Sequence, residues 1–148
     1  MSGTAAIETQ ALLDFLGGRK TLGLGPRAQA DFVGLVRHGL PYQALRAVTD
    51  SLLLSLKDLQ GTLQLSPRSL QRRKTARLSP LESERILRLA RVAVHATQVL
   101  GDRAAALDWL STPNRALSGE QPIHLLDTDV GTNEVMEVLD RILYGVYS

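Results

Sequence analysis

Positive charge is concentrated in the middle of this chain of 148 residues. Residues 66–91 contain eight arginine and lysine residues and two carboxylates, a net charge of +6. Within that stretch, residues 67–75 carry side chains that can hydrogen bond to nucleic acid: Arg68, Gln71, Arg72, Lys74 and Thr75. Arginine pairs bidentately with guanine and glutamine with adenine in the major groove, while other basic residues bind phosphates. These residue types predict contact with DNA, and the alternative is a solvated basic helix face.

A helix-turn-helix is the element that positions such side chains. It needs a short helix, a tight turn and a second helix whose polar residues face outward. We predict the first helix over Leu56–Leu63 and the second over 67–75, with Leu65 packed between them. Gln64 stands at the turn position that usually carries glycine, because the backbone there is left-handed.

Prolines and glycines in the first half of the chain predict where helices begin and end. Residues 11–16 predict a short helix that is ended by glycine. A proline at the first helical position is favourable, so we expect Pro26 to open a helix that Gly39 ends, and Pro41 to open another. The inward side chains of the helix after Pro41 are predicted to be Leu45, Val48, Leu52 and Leu53.

The second half has equally clear boundaries. Residues 79–82 form a capping box, in which Ser79 and Glu82 bond to each other's backbone, and predict a helix over 80–100. Asp102 predicts the start of the next helix. A last helix is expected over 128–144, capped by Asp127 or Thr128. No segment alternates apolar and polar residues as a strand does, so the predicted fold class is all-α.

Three arginines recur at every third position on the helix predicted over 80–100. They are Arg85, Arg88 and Arg91. Side chains three or four residues apart lie on one face of a helix. This stripe is either a solvated face or a patch that contacts a partner.

The end of the chain is acidic. Residues 120–148 contain six carboxylates and one arginine, a net charge of −5. The last helix is predicted to turn five apolar residues toward a core: Val130, Val135, Val138, Leu139 and Ile142. Its other face carries Glu134, Glu137 and Asp140. A basic middle and an acidic end predict two different partners.

Five ordered motifs carry a resemblance to a known family. They are LQRR at 70–73, LSP at 78–80, WLSTPNRAL at 109–117, PIHLLDT at 122–128 and RILYGVY at 141–147. Over residues 55–148 the chain resembles the Xre/MbcA/ParS antitoxins, which are paired with RES-domain toxins. The departure from the family pattern is Gln64, where glycine is usual.

The resemblance implies a non-enzymatic protein with two binding activities. Such antitoxins block a RES toxin that depletes NAD⁺, and a Cro/repressor-like helix-turn-helix can bind the promoter of their own operon. The implied organisation is an N-terminal segment (1–25), a helix-turn-helix region that binds DNA and dimerises (26–78) and a helical toxin-binding domain (79–148). The segment at 109–117 and the last helix belong to the toxin-binding domain.

The last helix and its tail are the predicted toxin-binding residues. They are Glu134, Glu137, Asp140, Arg141, Tyr144, Gly145, Val146, Tyr147 and Ser148. A pocket that binds a dinucleotide is basic, so an acidic helix is steered toward it. Aromatic residues anchor interfaces, and a terminal carboxylate can occupy a phosphate-binding arginine site. We hypothesise that the tail covers the toxin's cofactor pocket; the alternative is a helix that only packs on its own domain.

The sequence gives little support for an enzyme, a metalloprotein or a membrane protein. The chain has no cysteine, glycine-rich phosphate loop, nucleophile elbow or paired catalytic carboxylates, so we predict no enzyme and no cofactor. His124 near Asp127 and Asp129 is weak support for a metal, since helix capping explains Asp127 better. With no signal peptide and no apolar run long enough to span a bilayer, the expected location is cytoplasmic.

Two alternatives to an antitoxin remain open. One is a helix-turn-helix transcriptional regulator with a C-terminal dimerisation module, and the other is a helical adaptor that does not touch DNA. A homodimer within a toxin–antitoxin hetero-oligomer is expected, because two helix-turn-helix units reading a palindrome gain affinity. The apolar helices between residues 26 and 54 are the predicted interface.

Overall fold

The computed structural model describes residues 2–65 and 77–145. Within these ranges the chain forms eight α-helices and no strand, which confirms the all-α prediction. The helices are α1 (Ser2–Phe15), α2 (Gly18–Thr21), α3 (Phe32–His38), α4 (Tyr42–Leu52), α5 (Leu56–Leu63), α6 (Pro80–Leu100), α7 (Arg103–Ser111) and α8 (Asp129–Leu143). Two 3-10 helices, Arg115–Leu117 and Pro122–Leu125, lie between α7 and α8. The chain divides into two compact units, Met1–Ala90 and Arg91–Ser148, at a boundary inside α6.

The N-terminal helix is longer than its sequence predicts. The expected helix over 11–16 is the buried end of α1, which packs against α2 and α4. Its buried side chains are Leu12, Leu13, Phe15 and Leu16. An isolated helix of this length is marginal in water, and tertiary packing supplies most of its stability. Gly17, with φ of 106°, ends α1 in the left-handed region that glycine adopts without penalty.

The next helix starts later than predicted. Pro26 does not open it; α3 begins at Phe32, where the carboxylate of Asp31 accepts a hydrogen bond of 3.0 Å from the amide of Gly34. The N-cap side chain therefore sets the start. Pro26 lies in the preceding loop, which Arg19 holds by donating to the carbonyl oxygens of Gly25 and Ala28. Gly39 ends α3 as predicted.

Helix α4 contributes buried side chains to the hydrophobic core of the first unit. Leu45, Val48 and Leu52 are buried as predicted. The prediction for Leu53 is wrong, because its side chain is 82% exposed. Leu53 adopts a φ of 54° at the helix end, and this left-handed turn takes its side chain off the inward face of α4.

Local capping fixes α5. The Ser55 hydroxyl accepts from the amide of Asp58 at 3.0 Å, and a carboxylate oxygen of Asp58 accepts from the Ser55 hydroxyl at 2.7 Å and the Ser55 amide at 3.2 Å. These two bonds from Ser55, with a smaller contribution from the charge of Lys57, lower the pKa of Asp58 from its ordinary value.

The Asp58 cap predicts a pH-dependent stability. A carboxyl whose pKa is lower in the folded state stabilises that state above its unfolded pKa, and the stabilisation is lost as the pH falls through the folded pKa. We expect Asp58→Asn to lower the urea midpoint at neutral pH and to have little effect near pH 2. Asp50→Asn, at an exposed carboxylate of α4, is the control. An equal loss at both pH values would contradict this role for the charge.

The capping box that begins α6 is confirmed. The Ser79 amide donates to Glu82 Oε1 at 2.8 Å, and the Glu82 amide donates to the Ser79 hydroxyl at 3.1 Å. The helix runs to Leu100 and stops before Gly101, whose φ is 100°. Both predicted ends are therefore correct.

The second unit is built from the end of α6, α7, the two 3-10 helices and α8. Asp102 caps α7 as predicted, through a bond of 2.7 Å from the amide of Ala105. Thr128 caps α8 by accepting from Gly131 at 2.9 Å, so Thr128 rather than Asp127 starts the last helix. The core of this unit includes Ala96, Leu110, Leu117, Leu126, Val135 and Leu139. Among the residues that the structure describes, no helix is both long and apolar enough to cross a membrane.

Candidate functional site

The first candidate site is the basic segment of the first unit. Its predicted base-contacting and phosphate-contacting residues, Arg68, Gln71, Arg72, Lys74 and Thr75, lie outside the described residues. The structure does place the residues before and after them. Helix α5 forms over the predicted range, with Leu59 and Leu63 fully buried. Leu65 is also buried, in agreement with its predicted packing.

The turn after α5 has the geometry that the sequence pattern requires. Gln64 has a φ of 55°, in the left-handed region. A non-glycine residue pays about 1–2 kcal/mol there. The backbone therefore makes the tight turn without the usual glycine, and the carbonyl oxygen of Gln64 accepts a hydrogen bond of 3.3 Å from Arg85 on α6.

The segment that leads into α6 is held by the loop between α3 and α4. The amide of Leu78 donates to the carbonyl of Leu40 at 2.8 Å, and Arg77 donates to the carbonyl of Gly39 at 2.8 Å. The amide of Leu40 donates to the buried hydroxyl of Ser83 at 2.8 Å. Leu65 and Leu78, on either side of residues 66–76, are thus both fixed in the same unit.

The arginine stripe on α6 is not uniform. Arg85 is partly buried and donates to the carbonyl of Gln64, which joins α6 to the turn after α5. Arg88 is also partly buried, whereas Arg91 is exposed. The stripe is thus a mixture of structural and solvent-facing side chains.

The second candidate site is the outer face of α8. Glu134, Glu137 and Asp140 are exposed, as predicted for the acidic face, and Arg141 is exposed as well. The assignment of Val130 to the core is wrong, because its side chain is 70% exposed. Helical spacing explains this, because Val130 and Glu134 are four residues apart and therefore lie on the same side of α8. Val135, Val138 and Leu139 are buried as predicted, and Ile142 is partly buried.

Asp140 differs from the other predicted carboxylates. Its Oδ1 lies 2.8 Å from Nε2 of His95, which joins α8 to α6 across 45 residues of sequence. The side chain of Asp140 remains 51% exposed, and that of His95 is 20% exposed. Asp140 therefore positions α8 in this structure, and the sequence contained no local signal for that pairing.

The end of the chain is only partly described. Tyr144 follows the last residue of α8 and is 75% exposed, and Gly145 has a φ of 68°. The predicted site residues Val146, Tyr147 and Ser148 lie outside the described residues.

The WLSTPNRAL motif forms a closed loop in the second unit. Asn114 caps the first 3-10 helix by accepting from the amide of Ala116 at 2.9 Å, and its own amide donates to the carbonyl of Glu120 at 3.0 Å. Leu110 and Leu117 are buried, whereas Trp109 is only partly buried and Arg115 is exposed. The motif thus contributes to the support on which α8 packs, since its 3-10 helix, Arg115–Leu117, contacts α8.

A metal centre has no support in the described parts of the chain. No group of three histidine or carboxylate side chains there is arranged to hold an ion. This includes His124, Asp127 and Asp129.

Comparison with known proteins matches both units to one family. The antitoxin Xre-like helix-turn-helix domain matches residues 31–91. The antitoxin Xre/MbcA/ParS C-terminal toxin-binding domain matches residues 95–145. The N-terminal helices α1 and α2 lie before both matches.

Three curated relatives share the name antitoxin Xre. The protein of Yersinia enterocolitica is 43% identical over 84 residues, covering 55% of this chain and 57% of the relative. That of Photorhabdus laumondii is 28% identical over 132 residues, covering 87% and 89%. That of Pseudomonas putida KT2440 is 39% identical over 64 residues, covering 43% and 40%. The match thus spans little more than half of the Yersinia relative. With both domains matched in the predicted order, the chain belongs to the Xre family of antitoxins.

Proposed function

We propose that the chain neutralises a RES-domain toxin by covering the toxin's active site with α8 and the tail that follows it. The observation that carries this proposal is the outer face of α8, whose charged side chains are exposed in the domain that matches a toxin-binding family. The proposed contacts are Glu134, Glu137, Asp140, Arg141 and residues 144–148. Asp140 also bonds to His95. A cofactor pocket for NAD⁺ carries positive charge, and complementary charge speeds and orients association.

The proposed second activity is binding to operator DNA upstream of the chain's own gene. The support is a helix-turn-helix family match together with an α5 helix, a left-handed turn and a buried Leu65 at the expected positions. The residues proposed to contact DNA are Arg68, Gln71, Arg72, Lys74 and Thr75. The predicted domain boundaries and the cytoplasmic location belong to the same proposal.

We also propose a homodimer through the region 26–54. Two exposed apolar side chains in that range, Val33 and Leu53, are consistent with a surface that a second copy covers. A dimer would place two helix-turn-helix units on a palindromic site.

Co-expression with the product of the neighbouring gene tests the main proposal. The tagged antitoxin should retain an untagged RES-domain protein through purification, and growth should be rescued when both are expressed. Recovery of only further copies of this chain would favour the alternative, a transcriptional regulator with a C-terminal dimerisation module.

Replacing Arg68, Gln71 and Arg72 together by alanine should remove DNA binding and spare toxin binding. Each base contact contributes about 1–3 kcal/mol of discrimination, so we expect at least about a 100-fold loss of affinity for the promoter fragment in a gel shift. Replacement of Lys20 and Gln98, which are exposed and lie outside the proposed surfaces, is the control. If the triple variant lost toxin binding as well, the two activities would not be separable as proposed.

A further inference from the structure

Five side chains of the last helix and its cap form one exposed line. Val130, Glu134, Glu137, Arg141 and Tyr144 follow one another at steps of four, three, four and three residues. With 3.6 residues per turn, such steps keep side chains on one face. All five are exposed, and we call this line the outer stripe of α8.

Apolar groups lie at both ends of the outer stripe. In the described part of the second unit, the large apolar side chains that are exposed are Val130, Leu143 and Tyr144, and all three belong to α8 or its cap. Single exposed apolar residues are ordinary on a protein surface. Two of them at the ends of one stripe can each fill an apolar recess of a partner, while the charges between them make polar contacts.

The charged middle of the stripe has no partner within the described residues. No side-chain hydrogen bond or ion pair joins Glu134, Glu137 or Arg141 to another residue in 2–65 or 77–145. Glu137 and Arg141 are four residues apart, a spacing at which opposite charges can pair on a helix, yet they do not pair here. Asp140 contrasts with them, because it is bonded to His95.

We infer that Val130 is a second anchor for the toxin, at the opposite end of α8 from Tyr144, and that the whole outer stripe is the contact surface. This inference rests on the proposed antitoxin function. The fourteen steps from one residue to the next between Val130 and Tyr144 span about 21 Å at 1.5 Å per residue.

The stripe defines the chemistry of the partner surface. Two apolar recesses must lie about 21 Å apart on the toxin, the length that the helical rise gives for the stripe. Basic groups must face Glu134 and Glu137, and a carboxylate or carbonyl must face Arg141. Contact at the Val130 end fixes the helix, and contact at the Tyr144 end brings the tail to the pocket.

The affinity of the purified full-length chain for a catalytically inactive form of its toxin tests the inference. Val130→Ser should weaken binding by about tenfold and Tyr144→Ser by more, as expected for truncated apolar anchors at an interface. Val130→Lys places a charge in the same contact and should weaken binding further. Leu143→Ser, an exposed apolar position of α8 outside the stripe, is the matched control and should change affinity less than about twofold.

The outcomes separate the inference from the proposed function. If the wild-type chain does not bind the toxin, the proposed function fails. If the wild type binds and both Val130 variants bind equally well, the second anchor is overturned. Equal losses for Leu143→Ser and Val130→Ser would also overturn it, because the stripe would then not define the surface. Thermal unfolding of each variant checks that α8 is intact.

Discussion

Deletion of residues 144–148 is expected to abolish rescue of growth against the toxin while leaving the protein folded. Tyr144 follows the last residue of α8 and is largely exposed, so its removal takes no side chain from the described core. The deletion removes two tyrosines and a valine from the proposed contact with the toxin. Aromatic anchors each contribute about 2 kcal/mol or more at interfaces, so we expect affinity to fall at least about 100-fold.

Two measurements distinguish loss of contact from loss of fold. The melting temperature should change by only about 2 °C, as for surface changes in a chain of this size. A chain of full length with Tyr144→Ser and Tyr147→Ser separates the role of the rings from that of chain length. If the truncated chain still rescued growth, covering of the pocket by the tail would be wrong, even if binding through the rest of α8 persisted.

The parts of the fold that could be predicted are those set by neighbouring residues. The capping box at Ser79 and Glu82, the cap at Asp102 and the glycine stops at Gly39 and Gly101 each depend on at most four residues of sequence. The left-handed turn at Gln64 was also predictable from its place in the motif. Glutamine is unfavourable at this position because the left-handed conformation favours glycine, yet the backbone forms the turn with glutamine.

The errors in the prediction lie near the ends of helices. Leu53 is exposed because α4 ends there in a left-handed residue. Val130 is exposed because helical spacing places it with Glu134 and Glu137, although its apolar side chain favours a core. Pro26 predicts too early a start for α3, because the Asp31 side chain that caps the helix sets its first residue. The conformation of a residue at the end of a helix depends on one or two hydrogen bonds. A periodic pattern of apolar residues does not reveal those bonds.

Contacts between distant parts of the chain were beyond prediction. The bond between His95 and Asp140 joins two helices, and it gives a proposed contact residue a second, structural partner. The close approach of Gly39 to Leu78 is of the same kind. Such pairs form only when the helices pack in one particular way. That packing is set by all the core residues together, and no short stretch of the sequence predicts it.

Gly39→Ala should strongly destabilise the first unit. The backbone of Gly39 has a φ of 96° and a ψ of 130°, a sparsely populated conformation that costs a residue with a side chain about 1–3 kcal/mol. A Cβ atom would also collide with the carbonyl oxygen of Leu78. Relieving that collision moves the segment that leads into α6 and breaks the bonds from Leu78 to Leu40 and from Arg77 to Gly39, each worth about 1 kcal/mol. We expect a loss of at least about 3 kcal/mol, a large fraction of a typical stability of about 5–15 kcal/mol.

Two other glycines make this a controlled comparison. Gly23 has a φ of 72° with open space around its Cα, so Gly23→Ala introduces backbone strain without collision. Gly61 lies inside α5 with open space and an ordinary helical backbone, and Gly61→Ala should stabilise by up to about 1 kcal/mol. Urea unfolding of the three variants should therefore rank them Gly61→Ala, Gly23→Ala, Gly39→Ala in decreasing stability. Equal effects for Gly39→Ala and Gly23→Ala would show that the contact with Leu78 does not hold this segment.

If the ranking holds, Gly39→Ala should also weaken promoter binding, because Leu78 lies at one end of the segment that carries the proposed DNA contacts.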